Sequence, residues 1–246
     1  MTVATITPSA AAGYADLPSL IRLMSGDEKH EPSAHSTLDV LWVLYDRILD
    51  VTPERVDDPA RDRFILSKGH GPMAYYAVLA VKGFLPVETL RTFTDAGSPL
   101  GTHPDRLLIP GVEVSSGSLG HGLPLGVGIA LGLRAQGLGD SRVVCLVGDA
   151  ELDEGSNHEA VAVARALGLD ALTVVVIDND TATHGWPDGI ANRFAVEGWA
   201  TADVYGRDHE QLAAALSVHH ASRPNVVVAH VESPGDEVES LGGTAA

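Results

Sequence analysis

Two patterns of apolar residue alternate through the second half of the chain. RVVCLVGD (142–149) is an unbroken apolar run of strand length that stops at Gly-Asp. NHEAVAVARALGL (157–169) then spaces its apolar residues three and four apart, as an amphipathic helix does. LTVVVIDND (172–180) and NVVVAHVES (225–233) are again continuous and rich in valine. Strands without polar alternation have both faces covered, and strands separated by helices run parallel. The pattern predicts an α/β fold, a mainly parallel sheet with helices on both faces. Ligands of such sheets lie beyond the carboxyl ends of the strands.

The first half is less regular. LDVLWVLYDRIL (38–49) puts Leu38, Leu41, Trp42, Tyr45, Ile48 and Leu49 at helical spacing, with Ser36 or Thr37 as the cap. DRFILSKGHGP reads as a short strand or turn entering a loop, and PMAYYAVLAVKGF as a helix closed by Gly83. The segment 99–122, PLGTHPDRLLIPGVEVSSGSLGHG, is punctuated by prolines and glycines and predicts a long structured loop, the kind that usually carries function. Beyond it, Gly120, Gly122, Gly126, Gly128 and Gly132 would let an apolar helix approach another backbone closely, in this chain or in a partner. Residues 1–14 and 234–246 read as flexible tails around one domain, 15–233.

Charge narrows the class of partner. Of 246 residues, 16 are Lys or Arg and 33 are Asp or Glu, a formal net charge of −17 with no basic run. Nucleic acid and anionic membrane both demand clustered positive charge, so neither is expected. An anionic small molecule remains compatible, because N–H groups, helix N-termini or a divalent cation hold anions locally. No apolar stretch reaches the roughly eighteen residues of a membrane span, and the N-terminus lacks the basic start and apolar core of a secretory signal. The lone Cys145 sits in an apolar run, which fits a reducing compartment, so a cytoplasmic location is expected.

The candidate chemistry begins where the first of these strands ends. GDAELDEGSNHEA (148–160) packs Asp149, Glu151, Asp153, Glu154 and Glu159 into thirteen residues. Asp149 ends one strand and Asn179 the next, one strand-helix-strand unit later. On neighbouring strands the two side chains would emerge together. A carboxylate and an amide oxygen suit magnesium or calcium, with positions left open for phosphate oxygens and water. The competing reading makes Asp149 a helix cap and Asn179 a turn residue.

These residues also resemble a known family. Gly148-Asp149, Glu154-Gly155, His158-Glu159 and Asp178-Asn179 resemble the thiamine diphosphate motif of transketolases. DRFILSKGHGPMAYYAVLAVKGFL resembles the first active-site loop of that family, GTHPD its GHPE turn, and PGVEVSSGSLGHGL its PGVE–TGPLGQG segment, over roughly residues 27–215. The resemblance implies thiamine diphosphate with Mg2+ (or Ca2+). Asp149, the Asn179 side chain and the main-chain oxygen of Thr181 would hold the cation. Gly148 belongs to the same motif, and the N–H of Ala150, where the family has glycine, would donate to a phosphate oxygen. Gly117 would offer its carbonyl to the cofactor's amino group, and Leu119 would wedge the cofactor into a bent shape. His70 and His103 would line the diphosphate and the reacting carbon, where neutral imidazoles donate hydrogen bonds and shuttle protons. His30 aligns with the family's first histidine, in a different local context (KHEPS). Glu154 matches a residue that meets a glutamate of the opposite subunit.

Other polar residues are read as structural. His121 replaces a glutamine of the family and His158 stands at a helix start. Glu151 and Asp153 have no counterpart and are expected on a solvated face, and His184 receives no role.

The chain covers only the first of a transketolase's three domains. The family's second domain supplies the glutamate that activates the cofactor and the pocket for its aminopyrimidine ring. Nothing here stands in for them. A late histidine of the family has no match in VVAHVESPGDEVES, and the loop after the metal motif is short at THGWPDG. The resemblance therefore implies the N-terminal subunit of a split transketolase-like enzyme that moves a two-carbon ketol unit between small molecules. It would act only with a C-terminal subunit carrying the pyrimidine-binding domain, as an α2β2 assembly. The competing readings are a subunit of a 2-oxo acid decarboxylating or acyloin-forming enzyme, which shares cofactor and sheet, and a non-catalytic regulatory subunit. The SKGHGP and GTHPD histidines favour the transketolase branch.

Overall fold

Every residue of Val143–Gly148 is buried, which a strand achieves only between two neighbours and beneath helices on both faces. The computed structural model of the chain places it there. It describes residues 12–27, 30–184 and 186–232, with the main chain alone at Glu31. The strands are β1 (Arg63–Leu66), β2 (Val143–Gly148), β3 (Leu172–Asp178), β4 (Ala200–Tyr205) and β5 (Asn225–His230). Their order is β1-β2-β3-β5-β4 and every pairing is parallel.

Alternation along the strands divides the core into two layers. Phe64, Leu66, Val144, Leu146, Val175, Ile177 and Val227 pack with α1 (Leu17–Ile21), α2 (Glu31–Val43), α3 (Met73–Val81) and α7 (His209–Ser217). Ile65, Val143, Cys145, Val147, Val174, Val176, Val226 and Val228 pack with α4 (Gly122–Ala135), α5 (Gly155–Ala166) and α6 (Gly189–Val196). Right-handed crossovers account for the division. The steps from β1 to β2 to β3 to β4 advance in one direction and put α4, α5 and α6 on one face. The step from β4 back to β5 reverses direction and puts α7 on the other.

Several elements differ from the sequence reading. α2 begins at Glu31, ahead of the expected 38, with Pro32 in its first turn. Ser36 and Thr37 lie inside it, their hydroxyls donating back to the Ser33 and Ala34 carbonyls at 3.0 and 2.9 Å. Beyond Val43 the helix widens to a π turn over Leu44–Ile48, closed by Leu49 N–H to Leu44 O at 2.8 Å. The edge strand β4 and helices α1, α6 and α7 have no counterpart in that reading.

Residues 1–11 and 233–246, which hold most of the expected tails, lie outside the described residues. Tyr14, placed in the N-terminal tail, is within them, and its hydroxyl donates to Asp39 at 2.5 Å. Asp39 also binds Arg207 and His209 at 3.0 and 2.7 Å, joining α2 to the start of α7. Among the described residues no helix is long and apolar enough to cross a membrane.

Candidate active site

Three loops leave the carboxyl ends of adjacent strands: 67–72 after β1, 149–154 after β2 and 179–188 after β3. Asp149 is 1% exposed, and its carboxylate collects four donors. Oδ1 accepts from the Ala150 N–H at 2.8 Å and from Thr181 Oγ1 at 2.5 Å. Oδ2 accepts from the N–H groups of Thr181 and Ala182 at 2.6 and 3.0 Å. The turn that aims those N–H groups depends on Asp180, held at φ 59°, a conformation that aspartate adopts more readily than most residues.

Thr181 Oγ1 also lies 2.9 Å from Asn179 Oδ1. The hydroxyl has one proton for two acceptors. Asp149 Oδ1 and Asn179 Oδ1 therefore converge on one point, side by side at the tips of neighbouring strands. A hard divalent cation satisfies such a pair at once, and the donor set fits one. Among the described residues no three His, Cys, Asp or Glu gather in the manner of an all-protein metal cage. A cation here would draw its remaining ligands from main-chain oxygens, water or a bound diphosphate. Ala150 is not among the residues at positive φ, so the exchange from glycine imposes no strain there.

The three candidate histidines come together from separate segments. The His70 and His103 rings lie 4.8 Å apart at 80°, and those of His30 and His70 5.3 Å apart at 53°. His30 Nδ1 is 2.6 Å from Asp27 Oδ1. Burial lowers the His70 pKa below its ordinary 6.5, and the fields of His103 and His30 lower it further, so the ring is neutral at neutral pH. His103 Nε2 and Ser116 Oγ are buried with no hydrogen-bond partner, as polar groups awaiting a ligand would be.

Gly117 sits at φ +138°, and a Cβ there would lie 2.6 Å from His103 Cδ2. A Cβ on Gly69 would lie 2.7 Å from Gly117 N. The loops touch at van der Waals distance only because both positions are glycine. Gly117→Ala is expected to push the His103 ring aside. A displacement of this order lowers turnover on the order of a hundredfold, measured as kcat of the assembled enzyme. An unchanged kcat would show that His103 is not held by this contact.

The acidic segment does not behave as one solvated face. Glu154 is exposed at the start of α5, with its Cβ against Gly120. Glu151, expected in solvent, is instead 1% exposed. It accepts from Ser67 Oγ and, at 2.9 Å, from the Gly120 N–H, and burial raises its carboxyl pKa. Asp153, also expected in solvent, is half-buried and accepts the Thr183 N–H at 3.0 Å, fastening the loop after β3. Both turn inward because the segment folds as a single 3-10 turn, Ala150–Asp153, too short for any periodicity to register. Leu119 is half-buried on the loop before Gly120. His121 is exposed at the start of α4, His184 is exposed, and His158 packs against Trp186 at 5.2 Å.

Residues 20–232 match the family described as "Transketolase, thiamine diphosphate binding domain". The chain belongs to the transketolase family. It is 34% identical over 208 residues to one of the named subunits of the apulose-4-phosphate transketolase of Actinobacillus succinogenes, covering 82% of this chain and 75% of that protein. It is 33% identical over 193 residues to the 6-deoxy-6-sulfo-D-fructose transketolase subunit SqwG of a Clostridium species, covering 76% and 70%. A protein named ferredoxin fas2, from Rhodococcoides fascians, is 61% identical over 218 residues, covering 89% of this chain and 72% of that protein. Iron–sulfur clusters are held by sets of cysteine thiolates. This chain has one cysteine, so its own residues do not supply such a set. Among solved structures, the transketolase of Campylobacter jejuni superposes with a TM-score of 0.73 at 26% identity, over 88% of this chain. The chain spans only 37% of that transketolase.

Proposed function

We propose that this chain is the diphosphate-binding subunit of a split, thiamine diphosphate-dependent transketolase that transfers a two-carbon ketol unit between small molecules. The observations that carry the reading are the convergence of Asp149 and Asn179 on one point at the strand tips and the gathering of His30, His70 and His103 from separate segments. Asp149 and Asn179, with Thr181, would hold Mg2+ (or Ca2+) against the diphosphate, and Gly117 and Leu119 would seat the rest of the cofactor. When bound, thiamine diphosphate supplies the carbon nucleophile that breaks and makes the carbon–carbon bond. The chain contributes orientation, a dry diphosphate site and histidines that carry protons near the reacting carbon.

A second polypeptide carrying the pyrimidine-binding domain would complete the site, in an α2β2 assembly located in the cytoplasm. The relatives named as transketolase subunits, each about three-quarters covered by this chain, support that division. The outer side of α4 supports it too: Leu125 and Leu131 are 47% and 40% exposed, and a Cβ on Gly128 or Gly132 would meet nothing within 4 Å. A small-residue face of this kind lets a second backbone come close.

The test is calorimetry with thiamine diphosphate and Mg2+ on the chain paired with its partner subunit, followed by a ketol-transfer assay. Binding heat and transfer from a ketose phosphate are expected from the pair and little transfer from the chain alone. Full activity of the chain alone would overturn the split assembly. Decarboxylation of 2-oxo acids without ketol transfer would move the enzyme to the other branch.

A further inference from the structure

Asp149 and Glu151 are each 1% exposed and stand two residues apart, yet they serve different loops. Asp149 gathers the turn after β3. Glu151 reaches the opposite way. Its Oε1 accepts from Ser67 Oγ and from the Gly120 N–H, and Ser67 Oγ itself accepts the Gly122 N–H at 2.9 Å. The Glu151 carbonyl accepts from the Asn157 side chain at 2.7 Å, which anchors the turn to α5. One oxygen thus joins three segments. The first runs from Ser67 to His70, the second carries Gly117 and Leu119 into Gly120, and the third begins at Asp149.

The packing around this junction has no slack. A Cβ on Gly122 would fall 2.2 Å from Ser67 Oγ, and one on Gly120 would fall 2.6 Å from Ser156 Oγ, which donates to the Gly120 carbonyl. Burying a carboxylate is costly, and the Gly148 N–H and the Lys68 charge also act on this one, offsetting part of that cost. Apolar contact would hold three loops together at less cost but would not fix their separation. A single acceptor shared by two donors from different loops does.

We propose that Glu151 is a positioning residue for the cofactor site, setting through Ser67 and Gly120 the distance between the loop that carries His70 and the loop that carries Gly117 and Leu119. The proposal rests on the thiamine diphosphate reading of that site. Glutamine retains an oxygen able to accept from both Ser67 and Gly120. Alanine removes the acceptor.

The test compares Glu151→Gln, Glu151→Ala, Ser67→Ala and the Ser67→Ala/Glu151→Ala double variant, each assembled with the partner subunit. Affinity for thiamine diphosphate with Mg2+ is measured by calorimetry at a temperature where circular dichroism shows every variant folded. Glu151→Gln is expected to bind within about threefold of wild type. Ser67→Ala and Glu151→Ala are each expected to lose about tenfold or more, as supporting residues around a ligand site do. The double variant is expected to be no weaker than the weaker single, because both remove one shared tie.

Alanine variants that unfold at lower temperature but bind normally would overturn the proposal in favour of a purely structural acid. Losses that add in the double variant, or a glutamine variant as weak as alanine, would overturn it as well. Should Glu151→Ala fail to fold, Ser67→Ala and Glu151→Gln carry the same comparison. A wild-type assembly that gives no binding heat would overturn the cofactor reading itself, and a wild type that binds while the alanine variants match it would overturn only the positioning role.

Discussion

Asp149→Asn is expected to weaken binding of thiamine diphosphate with Mg2+ by at least about a hundredfold, the largest loss of affinity from any single exchange in the site. The four hydrogen bonds to Asp149 all come from donors, and two of them, from the Thr181 and Ala182 N–H groups, fall on one oxygen. An amide keeps a single acceptor oxygen. Either orientation turns an NH2 group toward an N–H or hydroxyl donor, which opens the turn at Thr181 and parts Asp149 from Asn179. The exchange also removes a negative charge at the point where the two strand tips converge. Hydrogen bonds to charged groups are worth about 1.5–3 kcal/mol each, so the folded protein should lose stability together with the ligand.

A chelator separates the two effects. In wild type, removing the divalent cation should weaken cofactor binding to nearly the level of Asp149→Asn, without lowering the unfolding temperature of the ligand-free protein. In Asp149→Asn it should change little. Wild-type affinity that survives a chelator would exclude the cation from this site, whatever the variant does.

The sheet is legible in the amino-acid sequence because its strands satisfy the simplest rule of burial. VVCLVG and LTVVVID lie between neighbours and beneath helices, so they carry no polar alternation and announce both faces at once. ATADVY is an edge strand with one face in solvent, and its mixture of Ala, Thr and Asp resembles a loop. The start of α2 is obscured because serine and threonine hydroxyls that bond back to a helix's own carbonyls look, in sequence, like caps. Residues named by ordered motifs gather in two groups: three histidines from three segments, and two oxygen donors from adjoining strand tips. Glu151 escapes because its partners lie 84 and 31 residues away, and nothing in a run of carboxylates distinguishes the one that folds inward. Local pattern reports the exposure of a strand well and the fate of a single side chain in a tight turn poorly.

His70→Ala is expected to lower kcat about 10²- to 10⁴-fold, the range spanned by a positioned proton-transfer group, and the pH dependence distinguishes its chemical part from its packing. Burial and the fields of His103 and His30 hold the His70 pKa below 6.5, so folding disfavours the protonated ring. Above about pH 6.5 the ring is neutral in folded and unfolded chains alike, and it leaves stability unchanged. As pH falls below that point the unfolded chain takes up the proton first. Stability drops until the folded pKa is passed and then levels off. In kcat/KM the same protonation should appear as an acid limb lying below pH 6.5. His30→Gln deletes one of the positive fields and leaves the Asp27 carboxylate, whose field favours the protonated ring, without its imidazole partner. Both changes raise the His70 pKa, so the acid limb of His30→Gln should move upward toward 6.5. A limb that stays in place, or moves to lower pH, would show that the group titrating in the assembled enzyme is not His70.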